Sequence, residues 1–152
     1  MSEAKERTPR DRLRRRLALG WLALWALTLL LPVANFESRG YAGMPGWAVL
    51  LIGGLGPMVW QFGWYANIGL LLMSASPFTF RSTRLTDLAL AMATLACAAD
   101  AFFWRAMYDD MGETPISSFS VGFYAWQIVI IGSAATTFWY WLMPARARPA
   151  IP

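Results

Sequence analysis

Histidine is absent from this chain, and cysteine occurs once, at Cys97. The missing imidazole removes the usual haem ligand, the commonest metal ligand and the commonest general base. A single thiol excludes an intrachain disulfide and any cysteine-based metal cluster. Charge is scarce as well: 14% of the 152 residues are charged, against about 25% in soluble domains. These gaps argue against a redox centre on ordinary ligands and against a histidine-dependent hydrolase. No catalytic residue, metal site or cofactor is expected, and the protein is read as a non-enzyme.

What fills the chain is apolar sequence, in four long runs. One domain's worth of residues with four such runs reads as a polytopic membrane protein. The expected fold is an all-α, four-helix transmembrane bundle with both termini cytoplasmic and a kinked second helix. Its spans run over about 17–34, 46–76, 86–107 and 119–143, between a basic tail at 1–16 and a second tail at 144–152. The third span starts near Thr86 or Asp87, either of which can cap it.

Orientation rests on the basic residues. Seven of the thirteen precede Leu17: Lys5, Arg7, Arg10, Arg12, Arg14, Arg15 and Arg16. Arg81, Arg84, Arg146 and Arg148 fall in segments that four spans place on the same side, whereas Arg39 and Arg105 fall opposite. This bias predicts a cytoplasmic N-terminus. No aromatic side chain interleaves the basic tail, so it reads as a topology signal that also touches anionic headgroups, not as a nucleic-acid site. Trp47, Trp104 and Tyr108 near the outer boundary, and Trp139, Tyr140 and Trp141 near the inner one, read as interfacial belts.

The most unusual stretch is Gly53 to Asn67, which mixes Gly53, Gly54, Gly56, Pro57, Gln61, Asn67 and large aromatics within the longest apolar run. As one helix, 46–76 would span about 45 Å, against a hydrocarbon core of about 30 Å. Pro57 is expected to kink it; the alternative is an interfacial or re-entrant piece to Gly56 followed by a shorter span. Trp60, Trp64 and Asn67 share a helix face, and with Gln61 and Trp126 they form either a packing face or a ligand face.

Asp100 is the one acid expected within a span, about 10 Å from the outer end. An intramembrane carboxylate needs a partner. Gln127 lies at a similar depth on the next helix with Tyr124 one turn away, so Asp100, Gln127 and Tyr124 are expected to form a polar cluster. It is either a structural hydrogen-bonding group or a proton, cation or basic-group site. Asp109, Asp110 and Glu113 match no EF-hand spacing and read as a solvated acidic loop. Cys97, set among alanines, reads as a small packing residue.

Phe62, Gly63, Trp64, Tyr65, Ala66 and Asn67, followed by a leucine run, with Gly122, Phe123, Tyr124, Ala125 and Trp126 later, resemble phrases in small four-helix bacterial inner-membrane proteins of uncharacterised function. Those often read aromatic-Ala-Trp-x-Ala-Asn-Pro; here Ile68 stands where proline is usual. The resemblance implies an inner-membrane location and no activity. The function expected is a non-catalytic membrane protein, an accessory or self-assembling subunit, in contact with the bilayer and with a membrane-protein partner or a second copy. The alternatives are a small channel or transporter using Asp100, Gln127 and the broken second helix, and an immunity-type membrane protein. An enzyme acting on a lipid-embedded substrate lacks its usual groups.

Overall fold

The computed structural model describes residues 8–36, 43–79, 83–109 and 112–142. The first helix, α1, is Pro9–Thr28. It starts eight residues before the expected span because the tail supplies its own start signal. The Thr8 hydroxyl accepts from the Asp11 amide, the Asp11 carboxylate accepts from the Thr8 amide and hydroxyl, and Pro9 takes the first position. Such a capping box satisfies amides that a helix start leaves without partners.

After α1 the chain turns at Leu29–Leu31 and enters strand β1, Pro32–Phe36, then β2, Met44–Pro45. Helix α2, Gly46–Ile52, tightens into a 3-10 segment, Gly53–Val59. Helix α3 is Tyr65–Ala75, and a short 3-10 turn, Ser76–Phe78, comes after it. Helix α4, Arg84–Asp100, is capped by Thr83, not by Thr86 or Asp87, and ends in a 3-10 turn, Ala101–Phe103. A hairpin of β3, Ala106–Asp109, and β4, Gly112–Phe119, leads to α5, Val121–Leu142.

The four strands form one antiparallel sheet in the order β2-β1-β4-β3. Its centre joins residues far apart in sequence: Ala34 opposes Phe119 and Asn35 opposes Ser118, and the Asn35 side-chain nitrogen donates to the Ser118 hydroxyl at 3.1 Å. Pro115 is tolerated inside β4 for a local reason. The Ile116 amide, not that of residue 115, points at β3, where it donates to the Arg105 carbonyl. The described pairing with β1 ends at Ile116, so the amide that proline lacks breaks none of the described ladder bonds.

This architecture corrects the four-helix transmembrane bundle. There are five described helices and a sheet, and two helical stretches, Arg84–Phe103 and Val121–Leu142, are long and apolar enough to cross a membrane. α1 fails because charged residues at 10–12 and 14–16 lie inside it, which leaves too short an apolar remainder. The second expected span fails because it is broken, not kinked. Pro57 lies within the 3-10 segment, which ends at Trp60 in the left-handed conformation. The helix beyond the break, α3, has 11 residues and covers only about 16 Å. The expected third span gives up its last residues to β3, and Pro32, placed in the last turn of span one, begins β1. Arg39, Arg81, Asp110 and the tail at 144–152 lie outside the described residues, as does the tail before Thr8.

Four helices pack side by side, with the sheet over one end. α1 and α4 run toward the sheet from the end that carries Arg10, Arg14 and Arg84; α3 and α5 run back to that basic end. The core mixes alanines with a few larger aliphatics: Ala66, Leu70, Ala98, Val129 and Ile130 form one buried cluster, and Met73, Ala91 and Ala134 a second. Small side chains permit close helix approach. At Gly69 a Cβ would stand 2.0 Å from the Thr94 hydroxyl, so only glycine lets α3 meet α4 there.

Candidate functional site

The residues between the 3-10 segment and α3 build the site. Trp60 has φ 59° and ψ 31°. Its amide donates to the Pro57 carbonyl at 3.3 Å and the Gln61 amide donates to the Gly56 carbonyl at 2.9 Å, a helix-closing pattern that usually places glycine at the left-handed position. Trp60 is 82% exposed.

Asp100 holds the turn between Trp60 and α3. One carboxylate oxygen accepts from the Phe62 amide at 2.6 Å, the Gly63 amide at 3.0 Å and the Trp104 indole at 3.2 Å. Three donors thus converge on one oxygen at the C-terminal end of α4. Gly63 lies close against this end, where a Cβ would meet that of Ala101 at 2.7 Å. Gln61 donates to the Ala106 carbonyl at 2.9 Å, tying the turn to β3.

Asn67 is the hub of the helical layer. Its side-chain oxygen accepts from the Trp25 indole of α1 and the Trp126 indole of α5, both at 2.9 Å, and its nitrogen donates to the Trp64 carbonyl at 2.9 Å. Indoles only donate, so the network fixes which way the amide points. The Trp64 indole donates to the Leu50 carbonyl at 2.8 Å, holding α2 above α3. Beneath α2 lies a cavity of about 50 Å³ lined almost wholly by apolar surface, with Thr28, Leu50, Trp64, Asn67, Trp104 and Trp126 in its wall.

Of the expected packing or ligand face, Trp64, Asn67 and Trp126 come together; Gln61 points to the sheet and Trp60 outward. The expected polar cluster is spread out. Asp100 is bonded to Phe62, Gly63 and Trp104. Gln127, buried, donates to the Ala98 carbonyl at 2.8 Å, one of those near the 3-10 end of α4. Tyr124 is exposed, its ring edge-on to that of Phe123. Cys97 packs against the first core cluster.

A second polar centre, at the basic end, is not among the expected sites. Arg14 and Asp87 form a buried ion pair at 2.6 Å. Arg14 also donates to the Ser76 hydroxyl at 2.7 Å, and the Trp141 indole donates to the same Asp87 oxygen at 2.7 Å. Nearby, the Tyr140 hydroxyl donates to Asp11 at 2.6 Å. Partial burial pushes the Asp11 carboxyl up, but hydrogen bonds from Tyr140 and Thr8 and the charge of Arg14 outweigh it and hold it below its ordinary value. The signal in the sequence was Asp87 itself, an acid in a segment otherwise basic; reading it as a cap hid it. Compared with known families, characterised proteins and solved structures, the chain matches none.

Proposed function

We propose that the protein is a non-catalytic integral membrane protein of the bacterial inner membrane that acts by assembly, with a second copy or as an accessory subunit of a larger complex. In this reading α4 and α5 cross the bilayer as an antiparallel pair, the basic end lies in the cytoplasm and the sheet lies outside. The observation that carries it is the outer surface of those two helices. Only 28% and 44% of their most apolar stretches is buried, and Leu85, Met92, Ile128 and Ile131 stand more than half exposed. Each helix buries one face on its neighbours and leaves a second apolar face exposed, which supports the membrane reading. Arg10, Arg12, Arg14, Arg15, Arg16 and Arg84 gather at one end, as the positive-inside bias requires.

The polar groups favour assembly over catalysis in this reading. Asp100, Gln127 and Asn67 are engaged with backbone and indole groups of the chain itself. Extraction of membranes with alkaline carbonate, then purification in mild detergent, tests both parts. The protein should stay with the membrane pellet and then run as a defined oligomer or with a stoichiometric partner. Release into the supernatant overturns the membrane reading; a monodisperse lone monomer overturns assembly.

A further inference from the structure

The cavity beneath α2 lies inside the protein. None of the residues in its wall is exposed, and its lid is the chain's own helix. Contacts around it stop the space from closing. The Gly46 and Trp47 amides at the start of α2 donate to the Leu31 and Leu29 carbonyls, both at 2.9 Å, and the Trp64 indole holds the Leu50 carbonyl further along. At Gly46 a Cβ would stand 3.0 Å from the Leu29 Cα, and at Gly122 a Cβ would stand 2.5 Å from the Pro32 carbonyl oxygen. Thus α2 and α5 are already at closest approach to the end of α1 and the start of β1, and neither can move inward to fill the void.

The polar groups decide what fits. Five side chains in the wall are polar, and each is engaged. The Thr28 hydroxyl donates to the Trp25 carbonyl at 2.7 Å. The indoles of Trp64, Trp104 and Trp126 donate to Leu50, Asp100 and Asn67. The Asn67 oxygen accepts from two indoles, and its nitrogen donates to the Trp64 carbonyl. One Asn67 N–H and the lone pairs of Thr28 are left over. A buried water makes about three hydrogen bonds, and these side chains offer it fewer. Apolar cavities of about 150 Å³ stay dry and take benzene or xenon, so a third of that volume has room for about two heavy atoms.

We infer that this cavity of about 50 Å³ binds one small apolar molecule, a dissolved gas of the size of dioxygen or a xenon atom. A preformed, poorly hydrated apolar space takes up such a solute without having to surrender ordered water. The wall residues face one another and not the surroundings, so the site is independent of the proposed membrane location.

Methyl-resolved NMR of the full-length protein in detergent, under xenon pressure, tests it. The Val49 and Leu50 methyls should shift and reach saturation. Those of Ile128 and Ile131, exposed on α5, should shift only in proportion to the xenon dissolved in the detergent. Dioxygen, which is paramagnetic, should broaden the Val49 and Leu50 signals, and xenon should relieve the broadening. Val49→Leu adds a carbon at a half-buried wall position; it should abolish the saturable shift at Leu50 and leave the thermal midpoint no lower. Val49→Ala, which enlarges the space, should keep the shift. A response at Leu50 that never saturates, cross-peaks from water to these methyls, a saturable shift that survives Val49→Leu, or its loss in Val49→Ala overturns the inference.

Discussion

Three carboxylates do three different jobs, and each can be separated from the others by substitution. Asp87 is the charge most dependent on a partner, since both it and Arg14 are buried. Removing one member of such a pair leaves the other uncompensated, so Asp87→Ala is expected to cost about 3–5 kcal/mol. The double variant Arg14→Met/Asp87→Leu should recover most of that loss, as thermal unfolding in detergent can show. Asp100 gathers donors, not a counter-charge. Asp100→Asn keeps an acceptor for the Phe62 and Gly63 amides and should cost about 1 kcal/mol, whereas Asp100→Ala should cost about 3 kcal/mol by stranding them. Asp11 binds its proton less readily in the folded protein than in the unfolded chain. Its stabilisation is therefore full above the ordinary carboxylate value and is lost as pH falls through the lowered one. Tyr140→Phe removes a donor to the carboxylate, so the carbon-13 titration of Asp11 should move up toward its ordinary value.

At the scale of elements, what could be read from sequence was what local pattern controls. α4 and α5 are long apolar stretches free of proline, and both lie where the sequence places spans. Trp21, Trp25 and Thr28 recur on one face of α1, and the structure turns that face inward, to Thr136, Asn67 and the cavity wall. The start of α1 was missed: Thr8 and Asp11 form its capping box, but the charge density there reads as a tail. The sheet was not legible. Its strands begin or break at Pro32, Pro45, Gly112 and Pro115, and β1 finds β4 some eighty residues away, so no local period announces either. The break at Pro57 shows the limit most clearly. Length alone requires that something interrupt 46–76, but a kink and a full break satisfy it equally. The choice falls to the Trp64 bond with Leu50 and the left-handed Trp60. Tryptophan in that conformation costs about 1–2 kcal/mol. Trp60→Gly should relieve this, partly offset by the freer unfolded chain, and leave the thermal midpoint no lower than that of the parent. A clear fall would show that the edge-on contact of its ring with Phe62, centroids 6.3 Å apart, outweighs the backbone strain.

For the whole molecule the decisive asymmetry is between its two ends. One end carries a packed layer of arginines, aromatics and two engaged acids; the other carries a sheet in which Asn35, Ser117 and Ser118 bond to one another and to backbone, with Arg105 and Glu113 exposed beside them. In the proposed membrane reading, the concentration of arginine at one end of two partly exposed apolar helices follows the positive-inside rule. The single cysteine makes the arrangement testable in intact cells. Cys97→Ser gives a thiol-free background, and it is a mild change because the residue is only partly buried. Cysteine placed at Ser118 in β4 should then react with a membrane-impermeant maleimide added outside spheroplasts, while cysteine at Arg12, exposed at the basic end, should react only after the membrane is opened. Labelling of both sites from outside would place the chain off the membrane or on its outer surface, and the opposite order would invert it. Only labelling of Ser118→Cys before Arg12→Cys fits two crossing helices with the sheet beyond the bilayer.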